Sequence, residues 1–257
     1  MSDQLLLRET KQGVARLTLN RPTKFNALSE ELLAELKQAL SDIRNDEDIA
    51  TVILAANGKA FCAGHDLRQM RANHDDGYYQ DLFSNCSEVM QLIGELPQPV
   101  IAEVQGIATA AGCQLVATCD LAVAAQSARF AVSGINLGLF CSTPSVALSR
   151  NISRKRAFEM LLTGDFVNAD KAAEYGLINY AVADSALRET TENLATNIAS
   201  KPLAARRVGK AMFYQQLNKD LSTAYDYSGK VMAGNMMDSQ TVEYIDAFLE
   251  KRPVGKS

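Results

Sequence analysis

Hydrophobic positions recur at two different spacings along this chain. Residues 14–19 alternate at every second position, which is typical of a β-strand. From Ser29 onward the leucines return every three or four positions, which predicts a helix that begins at a Ser29 N-cap. The leucines expected on its buried face are Leu32, Leu33, Leu36 and Leu40.

The same patterns predict the order of the other elements. Short apolar runs indicate strands, and helical periodicity indicates the helices, with the polar stretch 72–79 expected to be a mobile surface segment. After about residue 150 only helices are predicted, one of them with Pro202 as its first helical residue. The predicted strands are 51–54, 100–104, 121–125 and 129–132; the helices are 79–93, 110–118, 155–162, 169–175, 186–199, 202–218, 221–237 and 239–251.

This change of composition predicts an α/β fold with a helical C-terminal region. The strands and helices of residues 1–195 would form an α/β core, and residues 196–257 a helical region. No Gly/Ser-rich linker separates the two parts, so we expect one continuous globular unit.

Charge and apolar run length limit the partners. The net charge of −4 over 257 residues argues against a nucleic-acid partner, which would favour a basic stripe. No apolar run reaches the roughly 18 residues that a membrane span needs. The start of the chain resembles neither a signal peptide nor a presequence, so we expect a cytoplasmic location.

Cysteine and histidine usage argues against a metal centre. The five cysteines contain no CxxC pair and are expected to be buried thiols in a reducing compartment. The only histidines are His65 and His74, too few for a multi-histidine metal site. We expect no metal, and any Ser-His-Asp triad would have to use one of these two residues.

Two runs of small residues carry the candidate chemistry, residues 60–67 and residues 106–114. Each lies where an apolar strand gives way to a helical pattern, so that the backbone can approach a ligand closely and free N–H groups are available. Two N–H groups that converge on one oxygen form an oxyanion hole. The pattern therefore favours a thioester or other acyl carbonyl substrate.

In these residues the chain resembles the crotonase, or enoyl-CoA hydratase/isomerase, superfamily. The fragments that carry the resemblance run in order through almost the whole chain. The combination of Gly64-His65-Asp66-Leu67 with Ala110-Ala111-Gly112-Cys113-Gln114 and residues 137–144 is similar to the branch called enoyl-CoA hydratase domain-containing protein 3. The other fragments are 19–22, 26–28, 61–64, 99–102, 119–120, 162–164, 176–178 and 248–252.

The resemblance implies a fold, an assembly and a ligand. The fold would be a spiral of strand–strand–helix units that forms two near-perpendicular sheets, with C-terminal helices that mediate a homotrimer or a hexamer of two trimers. The ligand would be an acyl-CoA thioester, with no cofactor beyond its CoA moiety. Its thioester oxygen would be held by the backbone N–H groups of His65 and Ala111.

Several neighbouring residues have expected roles around these two donors. Ala63, Gly64 and Leu67 would line the loop that binds the ligand, and Asp66 would tie that loop down rather than act as a catalytic carboxylate. The alanines at 110 and 111 are expected to have negative φ angles, as at a helix start. The alternative interpretation of the small residues is tight packing of a helix on a sheet.

Two side chains are candidates for proton transfer. The His65 imidazole could act as a general base, as a polar contact to the acyl chain, or only as a structural residue. Ser142 aligns with a catalytic aspartate of some relatives, and His65 across the pocket could activate it. The alternative is that Ser142 belongs to a hydroxyl-rich turn that caps a helix.

The chain departs from the family at both glutamates of its hydratases. These positions align with Gln114 and Gly134, neither of which can take a proton from water at neutral pH. Hydration is therefore expected to be slow or absent, and isomerisation, decarboxylation or thioester hydrolysis are the alternatives. Restoring both glutamates should raise hydration if the pocket is otherwise intact.

Five residues are candidates for the nucleotide end of CoA. Lys24, Phe25 and Arg68 would contact its phosphates, while the resemblance implies that Phe248 and Lys251 contribute to the site of a neighbouring subunit. The competing hypothesis for the whole chain is a non-catalytic acyl-CoA-binding protein, either a sensor or an assembly subunit.

Overall fold

The computed structural model describes residues 4–254. Residues up to Thr196 form one compact unit, and those from Asn197 onward form a second. The strands are β1 Leu6–Lys11, β2 Val14–Leu19, β3 Thr51–Ala56, β4 Ala60–Cys62, β5 Val100–Val104, β6 Ile107–Thr109, β7 Leu121–Ala125, β8 Arg129–Ala131, β9 Val167–Asn168 and β10 Tyr180–Val182. The helices are α1 Glu30–Arg44, α2 Leu67–Ala72, α3 Asp76–Glu95, α4 Ala111–Thr118, α5 Ser142–Asn151, α6 Arg154–Thr163, α7 Ala169–Tyr175, α8 Leu187–Ala199, α9 Leu203–Gln216, α10 Leu221–Met236 and α11 Ser239–Leu249.

The strands of the first unit form two sheets. The larger sheet has the order β1-β2-β3-β5-β7-β10, in which β1 pairs antiparallel with β2 and the other neighbours are parallel. The smaller sheet has the order β4-β6-β8-β9, and only β9 runs antiparallel to its neighbour. From β3 to β8, consecutive strands thus alternate between the two sheets.

This alternation produces the predicted spiral of strand–strand–helix units. Each unit supplies one strand to the large sheet, the next strand to the small sheet, and then helical structure. The pairs are β3 and β4 before α2, β5 and β6 before α4, and β7 and β8 before α5. The α/β class and the helical C-terminal region are confirmed.

The first helix forms as its sequence pattern predicts. The Ser29 hydroxyl accepts a hydrogen bond from Leu32 N (3.3 Å) and so satisfies one of the free N–H groups at the start of α1. Its apolar face is buried against the core, as expected from the recurring leucines. The five cysteines are also buried. The buried residues of α1 are Leu32, Leu33, Leu36, Leu40 and Ile43.

Three local predictions are wrong. The chain after residue 150 is not only helical, because β9 and β10 lie between α6 and α8 and each joins a sheet. Most of the stretch 72–79 is ordered helix, because α2 extends to Ala72 and the Asp75 carboxylate accepts a hydrogen bond from Tyr78 N (3.0 Å) to cap α3 at Asp76. Pro202 is the N-cap of α9 rather than its first residue, since its ψ angle of 133° is extended. At α3 this cap, which the apolar periodicity does not record, sets the helix start, whereas the Pro202 side chain makes no capping hydrogen bond at α9.

The second unit contains α9, α10 and α11, and several large apolar side chains on it are exposed. Met237 is 82% exposed and Phe248 81% exposed. Within residues 4–254, no helix is both long enough and apolar enough to span a bilayer. In that same part of the chain, no cluster of three or more His, Cys, Asp or Glu residues could hold a metal ion.

Candidate active site

The two small-residue runs meet where β4 ends and α4 begins. A Cβ added to Gly64 would lie 2.9 Å from Ala110 Cβ and 3.3 Å from Ala111 N, so these backbones are in close contact. A Cβ added to Gly112 would collide with the carbonyl of Cys62. Glycine at both positions is therefore required for the start of α4 to lie beside the loop that follows β4.

Backbone hydrogen bonds hold this loop in place. Ala63 N donates to Phe25 O (3.0 Å), Leu28 N donates to Gly64 O (2.8 Å), and Asp66 N donates to Leu28 O (3.3 Å). The amides of His65 and Ala111 take part in none of the hydrogen bonds found within residues 4–254. Both are therefore available to an acceptor from outside the chain.

Ala110 has a backbone conformation that corrects the sequence-based expectation. Its φ of 51° and ψ of −121° lie in a region that residues with a side chain rarely adopt, whereas a negative φ was expected. Ala110 N donates to Ala131 O and Ala110 O accepts from Gln114 N, each at 3.0 Å, so both of its neighbouring peptide groups are fixed. This turn makes Ala111 the first residue of α4, where its N–H has no partner within the helix.

A cavity of about 260 Å³ opens beside the two free amides. Ala63, His65, Leu67, Ala111 and Ser142 all line it, so the structure brings together five of the residues expected at the site. Most of its wall is apolar. Sequence reasoning did not identify the large apolar residues of this wall, which are Met70, Phe83, Leu137, Leu139, Phe140 and Pro144.

The His65 imidazole forms part of the cavity wall. It packs against the Phe83 ring at 5.4 Å between ring centroids, with an angle of 68° between the planes. Both ring nitrogens are buried and have no hydrogen-bond partner within the described chain. Burial lowers the pKa of His65 to about 4, so the ring is neutral at pH 7.

Asp66 lies next to His65 in sequence, but its carboxylate is engaged elsewhere. It caps α2 by accepting hydrogen bonds from Arg68 N and Gln69 N, and it forms an ion pair with Arg21 at 3.2 Å. Burial alone would raise the pKa of Asp66, but the hydrogen bonds from Gln69 N, Arg21 and Arg68 N outweigh it and lower that pKa. These contacts fit the expected loop-anchoring role.

The positions that align with the two hydratase glutamates lie in different environments. Gln114 is buried on α4, its Oε1 has no hydrogen-bond partner among residues 4–254, and it does not belong to the cavity lining. Gly134 lines the cavity, and a Cβ added there would lie 2.6 Å from Leu139 O and 2.8 Å from Cys141 Sγ. The backbone after Leu137 therefore occupies the space that a side chain at 134 would need.

Ser142 lines the cavity as the first residue of α5. Cys141, rather than Ser142, is the N-cap, and no side chain caps this helix. The Ser142 hydroxyl contacts Phe140 O at 3.4 Å, and no hydrogen bond within residues 4–254 joins it to His65. Cys141 also lines the cavity, and burial raises the pKa of its thiol.

The residues expected at the nucleotide end of CoA are exposed. Lys24 ends a 3-10 turn and Phe25 follows it with a φ of 51°, while the Phe25 carbonyl accepts the Ala63 N–H described above. Arg68 is in the first turn of α2. Phe248 is on α11 and Lys251 lies just after it, both in the second unit.

The family model for enoyl-CoA hydratase/isomerase matches residues 9–255. The chain therefore belongs to the enoyl-CoA hydratase/isomerase family, that is, to the crotonase superfamily, as its motifs indicated.

Several similar proteins carry the name of the branch that the motif combination indicated. The chain is 43% identical over 248 residues to the rat protein named mitochondrial enoyl-CoA hydratase domain-containing protein 3. This alignment covers 96% of this chain and 83% of the rat protein. The crystal structure of the human protein of that name has a TM-score of 0.96 at 41% identity and covers 98% of this chain and 100% of its own. A crystal structure of an enoyl-CoA hydratase from Mycobacterium smegmatis has a TM-score of 0.97 at 57% identity. The match covers 98% of this chain and 99% of the chain in that crystal structure.

The name of the rat relative gives a mitochondrial location for that protein. The cytoplasmic location expected for this chain stays a prediction.

Proposed function

We propose that this protein binds an acyl-CoA thioester and polarises its carbonyl group with the amide N–H groups of His65 and Ala111. The observation that carries the proposal is the contact of Gly64 with Ala110 and Ala111, which leaves both amides free beside one cavity. Ala111 also begins α4, where the positive end of the helix dipole favours negative charge on the bound oxygen. The interaction would stabilise an enolate or a tetrahedral oxyanion.

The groups available for proton transfer in the cavity are weak bases. His65 has a pKa of about 4, and the Ser142 hydroxyl has no adjacent base. Gln114 cannot accept a proton, and Gly134 has no side chain. We therefore propose that hydration by two carboxylates is slow or absent, and that the reaction of this lyase/isomerase-type enzyme is an isomerisation, a decarboxylation or a thioester hydrolysis.

A screen of an acyl-CoA library by mass spectrometry tests this function. The protein is incubated with each thioester, and both retained ligand and new product are measured. Retained ligand with turnover supports an enzyme, whereas retained ligand without turnover on any thioester favours the non-catalytic sensor or assembly protein. If no acyl-CoA is retained or converted, the proposal is wrong.

Removing one donor tests the role of the amides directly. Ala111→Pro deletes the N–H at the first position of α4, where no intrahelical hydrogen bond is lost. Because Ala110 before it has an unusual conformation and Gly64 packs beside this nitrogen, urea unfolding first checks that the variant keeps its fold. We expect a fall of about 10²-fold to 10³-fold in kcat for the reaction found by the screen, or weaker thioester binding if there is none. Ala111→Gly keeps the N–H and is the matched control.

We also propose that the second unit mediates a homotrimer or hexamer. The proposal is supported by the exposed apolar side chains of α10 and α11, among them Met232, Met236 and Phe248. Light scattering after gel filtration measures the mass directly. A species of one 27.9 kDa chain would contradict the proposal.

A further inference from the structure

The two ring nitrogens of His65, at the cavity wall, lack the hydrogen-bond partners that an imidazole needs. A neutral imidazole has one N–H donor and one acceptor nitrogen, and a buried polar atom without a partner is unfavourable. Both nitrogens of His65 are buried and unpartnered in the described chain, although the residue lines the cavity. Native proteins rarely keep such atoms unless a ligand or bound water satisfies them.

The surrounding side chains do not meet this requirement. The Phe83 ring packs edge to face against the imidazole and offers no conventional acceptor. The neighbouring Asp66 carboxylate is taken by Arg21 and by the first amides of α2. The Ser133 hydroxyl in the cavity wall is bonded to Thr109 Oγ1 at 2.8 Å. The Leu28 backbone lies close enough to raise the pKa of the ring, but no hydrogen bond of normal geometry joins the two within residues 4–254. A full set of partners for the imidazole therefore requires a group from outside the described chain.

Burial keeps the imidazole uncharged. The pKa of about 4 means that the ring at pH 7 donates one hydrogen bond and accepts another, rather than attracting an anion. Both nitrogens are buried as the ring is placed, so contact with a ligand requires a rotation about χ2, a torsion that is broad in histidine. The chemistry that suits this group is an uncharged oxygen.

We propose that the His65 side chain is a specificity-determining residue, which selects acyl thioesters that carry a hydroxyl or oxo group on the acyl chain. This inference rests on the proposed function, because the amide of His65 would bind the thioester oxygen. Since the ring and the amide belong to one residue, the substituent lies within a few bonds of the thioester carbonyl. Leu67, Met70 and Phe83 would contact the carbon chain.

Matched ligands test the selection. Dissociation constants are measured by calorimetry for butyryl-CoA, 3-hydroxybutyryl-CoA and acetoacetyl-CoA with the full chain. We expect the unmodified protein to bind at least one oxygenated ligand about tenfold more tightly than butyryl-CoA. The His65→Phe variant should lose this preference, so that its dissociation constants for the three ligands become similar. His74→Phe makes the same substitution at the exposed histidine and should keep it.

The outcomes separate this inference from the function on which it rests. Equal binding of all three ligands by the unmodified protein, or a preference that survives in His65→Phe, would overturn the selection by His65 and leave thioester binding intact. If none of a broader set of acyl-CoA ligands binds, the proposed function itself fails. Should His65→Phe not fold, nitrogen NMR of the unmodified protein decides, because the ring ¹⁵N shifts should respond to an oxygenated ligand and not to butyryl-CoA.

Discussion

Gly64 and Ala110 face each other with φ angles of 92° and 51°, and a Cβ on Gly64 would lie only 2.9 Å from that of Ala110. This contact brings the loop after β4 against the start of α4. The amides of His65 and Ala111 border one cavity because only the hydrogen of Gly64 and the methyl group of Ala110 separate the two backbones.

We expect Gly64→Ala to destabilise the protein and to weaken acyl-CoA binding. The new methyl group would be forced into a left-handed conformation and against Ala110, which costs about 1–3 kcal/mol. Urea unfolding and calorimetry measure the two effects. Gly94→Ala is the control, because Gly94 is within α3 with nothing within 4 Å of an added Cβ, and it should stabilise by about 0.5–1 kcal/mol. Equal effects of the two substitutions would contradict the proposed contact.

Ala110→Gly is expected to stabilise the fold. Glycine adopts the observed φ and ψ without strain, which should gain about 1 kcal/mol after its greater entropy in the unfolded chain is subtracted. For a chain of this size the midpoint of thermal unfolding should rise by about 2–4 °C. A lower midpoint in calorimetry would show that the alanine is not strained.

Restoring the two glutamates is not expected to create a hydratase. Gly134→Glu would place its Cβ 2.6 Å from Leu139 O, so the backbone after Leu137 would have to move. We expect Gln114→Glu with Gly134→Glu to show no gain in crotonyl-CoA hydration over the unmodified protein, together with reduced stability. Gln114→Glu alone is the control for charge on α4. A clear rise in hydration by the double variant would mean that the loop adapts.

Stability should fall between pH 7 and pH 5 because of His65. Its folded pKa of about 4 lies below the usual unfolded value of about 6.5, so the unfolded chain takes up the proton first as the pH falls. This difference should remove about 2 kcal/mol of stability by pH 5, whereas it has no effect above about pH 7.5. Urea unfolding at both pH values, compared with His65→Phe, isolates the contribution. The same pH dependence in the variant would exclude His65 as its source.

Loss of the buried ion pair in the first unit should be strongly destabilising. Arg16 forms two hydrogen bonds to the Glu103 carboxylate at 2.7 and 3.0 Å, and both side chains are almost fully buried. Glu103→Ala would leave Arg16 with only its 3.3 Å pair to the half-exposed Glu192, at a cost of about 3 kcal/mol. Glu95→Ala breaks an exposed pair with Arg44 and should change stability by less than about 1 kcal/mol. Similar effects in urea unfolding would contradict this distinction.

Sequence periodicity was sufficient where local chemistry sets the structure. The strand at 14–19, the cap at Ser29 and the leucine face of α1 all follow from the spacing of apolar residues and one hydroxyl group. The motifs around Gly64 and Gly112 also identified the family, because close backbone contact admits few residue types. The start of α3 was not predicted, because the first residues of this helix show no apolar periodicity. Its position is set by the hydrogen bond from Tyr78 N to the Asp75 carboxylate.

Local pattern thus specified the elements, the family and the backbone positions where ligand contact is expected. The conformation of Ala110, the apolar cavity wall, the closed space at Gly134 and the unpartnered imidazole of His65 depended on tertiary structure. Each arises from contacts between segments far apart in the chain, and residue spacing along one segment carries no information about which atoms of another segment will occupy the space beside it.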